Sequence, residues 1–201
     1  MSKQAVNFLK KDPKLAKIIK HVGSYEISLM KNPYESLIET IITQQLSGKA
    51  AESISKKFRK LFGRFPKPDN VLKMPDSKLR SAGLSGMKVK YIKDLSEKIK
   101  SKELQLRLLK NMTDDEVIMH LTQVKGIGRW TAEMFLIFSL GRLDVLPVGD
   151  LGLKKGIQRL YSMPDLPEKD EIEELAEKWK PYRTIATWYI WKSLNQFDKI
   201  G

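Results

Sequence analysis

Two stretches of this sequence hold residues whose type and spacing could do chemistry. The first is Lys125–Trp130, KGIGRW, in which Gly126 and Gly128 flank the β-branched Ile127 between two helix-like segments. Glycines one residue apart free the backbone to turn tightly and to approach another molecule closely. A helix starting near Gly128 would present its first N–H groups at a positively polarised end, which can hold a phosphate. Such contacts position a nucleic acid without reading its sequence. The same glycines also suit an ordinary helical hairpin with a glycine cap. The second stretch is GRLDVLPVGD, which ends in Asp150 directly ahead of the helix-like LGLKKGIQRLY. A carboxylate at a helix start reads first as an N-cap. A helix from Trp130 to Leu140 would run about 16 Å. The segment GRLDVLPVG reaches about 30 Å when extended, enough to return the chain beside the hairpin.

The composition narrows the partners. Among 201 residues, 37 Lys and Arg stand against 24 Asp and Glu, a net charge of +13. An excess of that size favours a polyanion, nucleic acid ahead of an anionic membrane, over a basic protein with no such partner. Cysteine is absent, which removes disulfides, thiolate zinc sites, iron–sulfur clusters and cysteine nucleophiles together. The start MSKQAVNFLKKDPK has no signal-peptide apolar block, and no run approaches a membrane span. A cytoplasmic or nuclear location is expected, with no membrane partner.

The elements that must position these residues read as helices nearly throughout. In NPYESLIETIITQQLSGKAAESISKKFRKLFG, Asn32 is an N-cap, Pro33 the first helical residue and Glu35 its N3 partner. Leu37, Ile38, Ile41 and Ile42 repeat at helical spacing. Ser47 is expected to cap a second helix whose apolar face is Ala50, Ala51, Ile54, Phe58, Leu61 and Phe62, with Gly63 as its stop. Thr113-x-x-Glu116 is a capping box. WTAEMFLIFSL is apolar nearly all round and reads as a buried central helix ended by Gly141. KPYRTIATWYIWKSL reads as a last helix with Pro181 at its first position. Alternating strand patterns, repeats and low-complexity segments are missing. The expectation is an all-α protein of roughly ten to twelve short helices.

LTQVKGIGRWTAEMFLIFSLGRLDVLPVGDLGLKKG resembles the helix–hairpin–helix, Gly/Pro-rich and aspartate signature of a DNA base-excision glycosylase superfamily. LIETIITQQLSGKAA, AGLSGMKVKYI and AEKWKPYRTIATWYIW are more narrowly similar to its alkylpurine branch, typified by bacterial 3-methyladenine DNA glycosylase II and fungal counterparts. The likeness runs from about Pro33 to Trp191 in the family's order. It implies a two-lobed helical bundle of the HhH-GPD type, one module over residues 1–201. A first lobe covers about 30–110, a hairpin and catalytic region about 111–165, and the N- and C-terminal helices pack together.

Residue by residue, the resemblance makes Asp150 the catalytic carboxylate and Lys125, Gly126, Ile127 and Gly128 the DNA-gripping hairpin. Carbonyls of Thr122, Val124 and Ile127 become ligands of a structural Na+ or K+ that bridges to phosphate; no other cofactor is implied. Trp130 and Tyr182 wall the base pocket, with Met134 beside them. Ser85, Gly86 and Met87 form the wedge loop, with Met87 at its tip, and Gln44 and Gln45 lie near the DNA. The bacterial member carries an extra N-terminal sheet domain that a chain of this length is expected to lack. Met134 replaces its pocket tyrosine and Tyr182 its pocket tryptophan, so the pocket is less aromatic.

The implied partner is double-stranded DNA with damaged bases, bound by a monomer. A target base must be flipped out of the duplex. A cationic N-alkylated purine would bind an indole face, and an ionised Asp150 would stabilise the oxocarbenium-like sugar. Lyase-competent members place a lysine about where Trp130 stands, and neither Lys125 nor Lys154 matches it, which implies a monofunctional hydrolase. A non-catalytic helix–hairpin–helix DNA-binding module and a glycosylase for oxidised or mismatched bases are the competing readings. His21 and His120 lack metal spacing and read as surface or core-edge residues. Trp179, Trp188 and Trp191 read as packing, and Lys56, Lys57, Arg59 and Lys60 as a solvated helix face.

Overall fold

The computed structural model describes residues 2–46 and 48–194. Twelve α-helices and no strand occur among them, as the helical periodicity requires. No helix of the described residues is long and apolar enough to cross a membrane. The chain divides into two compact units, and the division falls within one helix: residues 30–135 form one, and those up to 29 with those from 136 onward form the other.

The unit of residues 30–135 is built from α3 (Pro33–Thr43), α4 (Gly48–Lys60), α5 (Pro68–Lys73), α6 (Asp76–Ser81), α7 (Gly86–Lys100), α8 (Asp114–Thr122) and the start of α9 (Arg129–Phe138). Asn32 caps α3 through its side-chain oxygen, which accepts from Tyr34 N and Glu35 N, and Pro33 is the first helical residue. Glu35 does not close a capping box; its carboxylate pairs with Arg59 at 2.6 Å. Leu37, Ile38, Ile41 and Ile42 are all buried, on a core shared with Phe58, Val71, Val89, Ile92 and Leu95. Helix α4 ends at Lys60, and Leu61 and Phe62 lie in the turn before Gly63, whose φ is +70°. Ser47, the expected cap of α4, lies outside the described residues. Thr113 and Glu116 form the expected box at α8, and Thr113's N–H and hydroxyl hold the Glu116 carboxyl below its ordinary range. This unit runs to 135 and not to about 110, because Lys125 N donates to Asp94 and Gln44 donates to Gly126 O, which tie the hairpin to α7 and α3.

The other unit contains α1 (Ser2–Leu9), α2 (Pro13–Val22), α10 (Leu151–Tyr161), α11 (Lys169–Ala176) and α12 (Arg183–Ser193). Helices α1, α2 and α10 pack on α12 around Leu9, Leu15, Ile18, Leu153, Ile157, Trp179 and Tyr189. Where α10 meets α12, a Cβ on Gly156 would lie 2.1 Å from Ile190, so only glycine permits that approach. Asp12 caps α2 and also accepts from Tyr161 Oη, Trp179 Nε1 and Lys178 Nζ. Burial alone would raise its carboxyl pKa, but these donors hold it below the ordinary value. Helix α12 starts at Arg183, two residues after Pro181, because Tyr182 keeps a non-helical conformation.

Candidate functional site

Within residues 30–135, the end of α3, the start of α7, the hairpin and the start of α9 surround a cavity of about 710 Å³. Its walls are Thr40, Thr43, Gln44 and Gln45 from α3 and the turn after it, Ser85, Met87, Lys88 and Tyr91 from α7, and Gly126, Trp130 and Thr131. None of these is a carboxylate, which suits a polyanion. Sequence-predicted candidates from four segments therefore share one cavity: Gln44 and Gln45, Ser85 and Met87, Gly126, and Trp130.

The two hairpin glycines have different reasons to be glycine. Gly126 has φ +81°, and a Cβ there would lie 2.1 Å from the Tyr91 ring. Gly128 has no positive φ, and a Cβ would meet nothing within 4 Å. Its lack of a side chain leaves room for an outside molecule. Between them Ile127 is buried and anchors the turn, while Lys125 is exposed. Gly128 O accepts the first ladder bond of α9 from Ala132 N at 3.1 Å. The polarised first turn of α9 thus lies at the second glycine.

Trp130 follows at once and is 45% exposed, although the helix it begins buries Thr131, Ala132, Glu133 and Phe135. Met134, one turn on, is half-buried. The expected wedge loop is instead the start of α7: Ser85 caps the helix through Lys88 N, Gly86 is its first residue, and Met87 stands 54% exposed in its first turn. Leu46 is a second exposed apolar tip, at 37%, directly after the Gln44–Gln45 turn. It was not singled out from sequence; a leucine following two glutamines at a helix end was the available signal. Thr122 is exposed and Val124 buried, with Val124 O accepting from Ile127 N at 3.0 Å. Carbonyl oxygens of this kind suit a hard cation, since each has two lone pairs.

Asp150 lies in the other unit. The loop that delivers it is fastened to the start of α12. Arg183 reaches both carboxylate oxygens of Asp144, at 2.8 and 2.9 Å, and Asp144 O at 3.0 Å. Thr184 Oγ1 accepts from Val145 N at 2.9 Å and donates to Arg142 O at 2.8 Å, while Thr184 N donates to Leu143 O. Asp150 then caps α10: its Oδ1 accepts from Leu153 N at 2.7 Å and from the Trp191 indole Nε1 at 2.7 Å. Trp191 is stacked on Phe138 at 6.1 Å between centroids. A Cβ on Gly152 would sit 3.0 Å from Asp150 Oδ1 and 3.2 Å from Trp191, so this glycine lets the indole close on the carboxylate. The packing reading of the tryptophans holds for buried Trp188, and for buried Trp179 with its Nε1 donating to Asp12 besides. For Trp191 it is incomplete, because its N–H is spent on Asp150. Tyr182 is half-buried, edge-on to Phe8 at 5.6 Å.

The basic face of α4 carries surface ion pairs. Arg59 bonds Glu39 and Glu35 and covers the Phe65 ring, and Lys56 pairs with Glu52. Lys56, Lys57, Arg59 and Lys60 are all exposed, so the solvated-face reading stands, with Arg59 engaged in surface ion pairs to α3.

A family model for HhH-GPD superfamily base excision DNA repair proteins matches residues 38–181. The chain belongs to this superfamily. It is 37% identical to DNA-3-methyladenine glycosylase 1 of Schizosaccharomyces pombe, over 98% of this chain and 90% of that protein. The solved structure of the S. pombe 3-methyladenine DNA glycosylase in complex with abasic DNA superposes with a TM-score of 0.86 at 36% identity, covering 96% of this chain and 97% of that one. A DNA-3-methyladenine glycosidase from Bacillus halodurans gives the same TM-score at 39% identity, covering 96% and 89%. Both HhH-GPD segments named by the sequence, the hairpin and the aspartate loop, fall inside the matched region.

Proposed function

We propose that this protein is a monofunctional DNA glycosylase of base excision repair that extrudes alkylated purines from duplex DNA and releases them by hydrolysis. The observation that carries this reading is Asp150, a carboxylate held in one place by Leu153 N and Trp191 Nε1, in a chain whose relatives are named 3-methyladenine glycosylases. The Gly126–Gly128 hairpin grips backbone phosphate through helix-terminal N–H groups. A monovalent cation on the carbonyls of Thr122, Val124 and Ile127 would add positive charge there. Met87 and Leu46 supply apolar surface to fill the gap left in the stack, against the few kcal/mol that unstacking costs.

Trp130 offers an exposed indole face to the extruded base, with Met134 one turn away. N-alkylation makes the purine cationic, which favours the indole face and activates the base as leaving group without a strong general acid. As the glycosidic bond breaks, positive charge grows on the deoxyribose; Asp150 stabilises it and orients or deprotonates the attacking water. Amine chemistry has no evident donor in the matching place. Position 130 is tryptophan, Lys125 lies against Asp94 at 3.8 Å, and Lys154 against Glu168 at 3.9 Å. In this reading it works on double-stranded DNA as a monomer, in the cytoplasm (nucleoid-associated) or in a nucleus.

Incubating the protein with a duplex containing one 7-methylguanine tests the reading. Free base and an alkali-labile abasic site should appear, with no nicking before alkali and no borohydride-trapped adduct. Duplex binding without base release would leave a DNA-binding module, and release restricted to oxidised or mismatched bases would move the substrate class.

A further inference from the structure

Three DNA-facing segments of residues 30–135 converge on one side chain that the proposed mechanism does not use. Lys88, in the first turn of α7, donates from Nζ to Ile42 O and to Gln44 O, each at 2.8 Å. These carbonyls stand where α3 has run out: Gln44 N makes the last ladder bond, to Thr40 O, and Gln45 turns away at φ +56°. They are the unpaired acceptors at the negative end of a helix, where a cation is favoured. Lys88 is half-buried, and desolvation pushes its pKa below that of an ordinary lysine. Among the described residues no carboxylate pairs with it. Its ammonium is thus committed to two backbone oxygens of a turn.

That turn is tied onward. Gln44 Nε2 donates to Gly126 O at 2.9 Å, so the side chain of the residue whose carbonyl Lys88 holds reaches the hairpin. The circuit closes on α7. Tyr91, three residues after Lys88, lies beneath Gly126, and Asp94, three further on, accepts from Lys125 N at 2.9 Å. One face of α7 therefore carries a contact to the α3 end and two contacts to the hairpin. The first turn of the same helix carries Met87.

We infer that Lys88 is a positioning residue for base extrusion: it locks the Gln44–Gln45 turn and, through Gln44, the Gly126 hairpin in register with Met87 in the first turn of α7. Phosphate grip and apolar tips then meet the duplex at a fixed spacing. This rests on the glycosylase reading above. The rival role for a lysine lining this cavity is a direct phosphate contact, and salt separates the two. Losing one phosphate contact lowers the slope of log affinity against log salt by about 1, whereas losing a brace leaves the slope unchanged.

The experiment compares wild type and Lys88→Met on a 7-methylguanine duplex with 2-aminopurine beside the lesion. Single-turnover base release and the fluorescence rise on extrusion should both slow roughly 10- to 100-fold, the scale on which small misplacements act. Undamaged-duplex affinity and its salt slope should stay as in wild type. Gln44→Leu, which leaves the ammonium in place, should cause a smaller loss of the same kind. The double variant should be no slower than Lys88→Met alone, since both cut one circuit. Wild-type rates in Lys88→Met, a slope lowered by about 1, or additive losses in the double variant would each overturn the brace. Should Lys88→Met fold poorly, Gln44→Leu alone decides: unchanged extrusion rejects the circuit. Failure of the wild type to release base would instead reject the glycosylase reading.

Discussion

The loop ahead of Asp150 and the hairpin around Gly126 are fastened by different physics. Arg183 grips the Asp144 carboxylate with its guanidinium and backbone N–H, and Thr184 threads three loop carbonyls and one N–H onto the start of α12. The hairpin instead rests on the Tyr91 ring, one amide from Gln44 and the Asp94 carboxylate. Charge-assisted bonds fix direction, which a carboxylate beside a developing sugar cation needs. Close packing fixes distance and leaves the outer face of the hairpin open, which a phosphate needs. The exposed tips differ accordingly: Leu46, Met87 and Trp130 all belong to the unit of the hairpin.

The sharpest break in this comparison is Asp150→Asn. The amide oxygen can still accept from Leu153 N and Trp191 Nε1, so melting temperature and duplex affinity should hold. Base release should fall by about 10²–10³-fold, the scale of losing one preorganised electrostatic group. Retained release would make Asp150 a helix cap and nothing more. Next is Arg183→Met, which leaves Asp144 without its guanidinium. About 2 kcal/mol of charged hydrogen bonding is lost, so a calorimetric scan should show a melting point lower by roughly 4–8 °C. Release should drop by roughly tenfold or more while duplex affinity stays, because positioning errors act on the chemical step.

The hairpin glycines give a smaller and differently shaped effect. Gly126→Ala forces a Cβ onto Tyr91 at positive φ, so affinity for damaged and undamaged duplexes should fall together with thermal stability. Gly128→Ala meets nothing in the protein and should lower only the affinity, measured by titration at two salt concentrations. A sequence-selective loss in either would show that the hairpin reads bases. The finest test is Trp130→Ala. The cation–π term of about 0.5–2 kcal/mol is lost for methylated purines alone, so their release should fall roughly 2–30-fold further than that of neutral deaminated or etheno-bridged bases. Equal losses would reduce the indole to a shape-filling wall.

Local grammar made much of this legible. The caps at Asn32 and Thr113, the glycine turn and the carboxylate before α10 each announce themselves within a few residues. What stayed hidden depends on partners distant in sequence. Trp191 sits three residues from buried Trp188, and periodicity assigns both to the core; only the return of the chain brings Asp150 to its N–H, 41 residues away in sequence. Lys88 is one of two lysines in GMKVK, and nothing near it signals that its ammonium ends on carbonyls more than forty residues earlier. Arg59 is solvated as its helix face suggests, but its partners Glu35 and Glu39 come from α3, some twenty residues earlier. Leu46 was passed over because an apolar residue at a helix end reads as core, and exposure is a property of the fold.

The interruption of one unit by the other sets a timetable for synthesis. Asp12 is made early, yet its partners Tyr161 and Trp179 lie 149 and 167 residues later. At a translation rate of about 5–20 residues per second, its carboxylate waits roughly 7–30 s for them. Residues 30–135 are complete well before that, so this unit can close on the ribosome while Leu15 and Ile18 still await Tyr189 and Trp179. Ribosome-bound chains arrested near residue 170 should therefore resist protease across residues 30–135 and be cut readily within the first 29. Uniform resistance would mean that the early helices find shelter before their native partners exist.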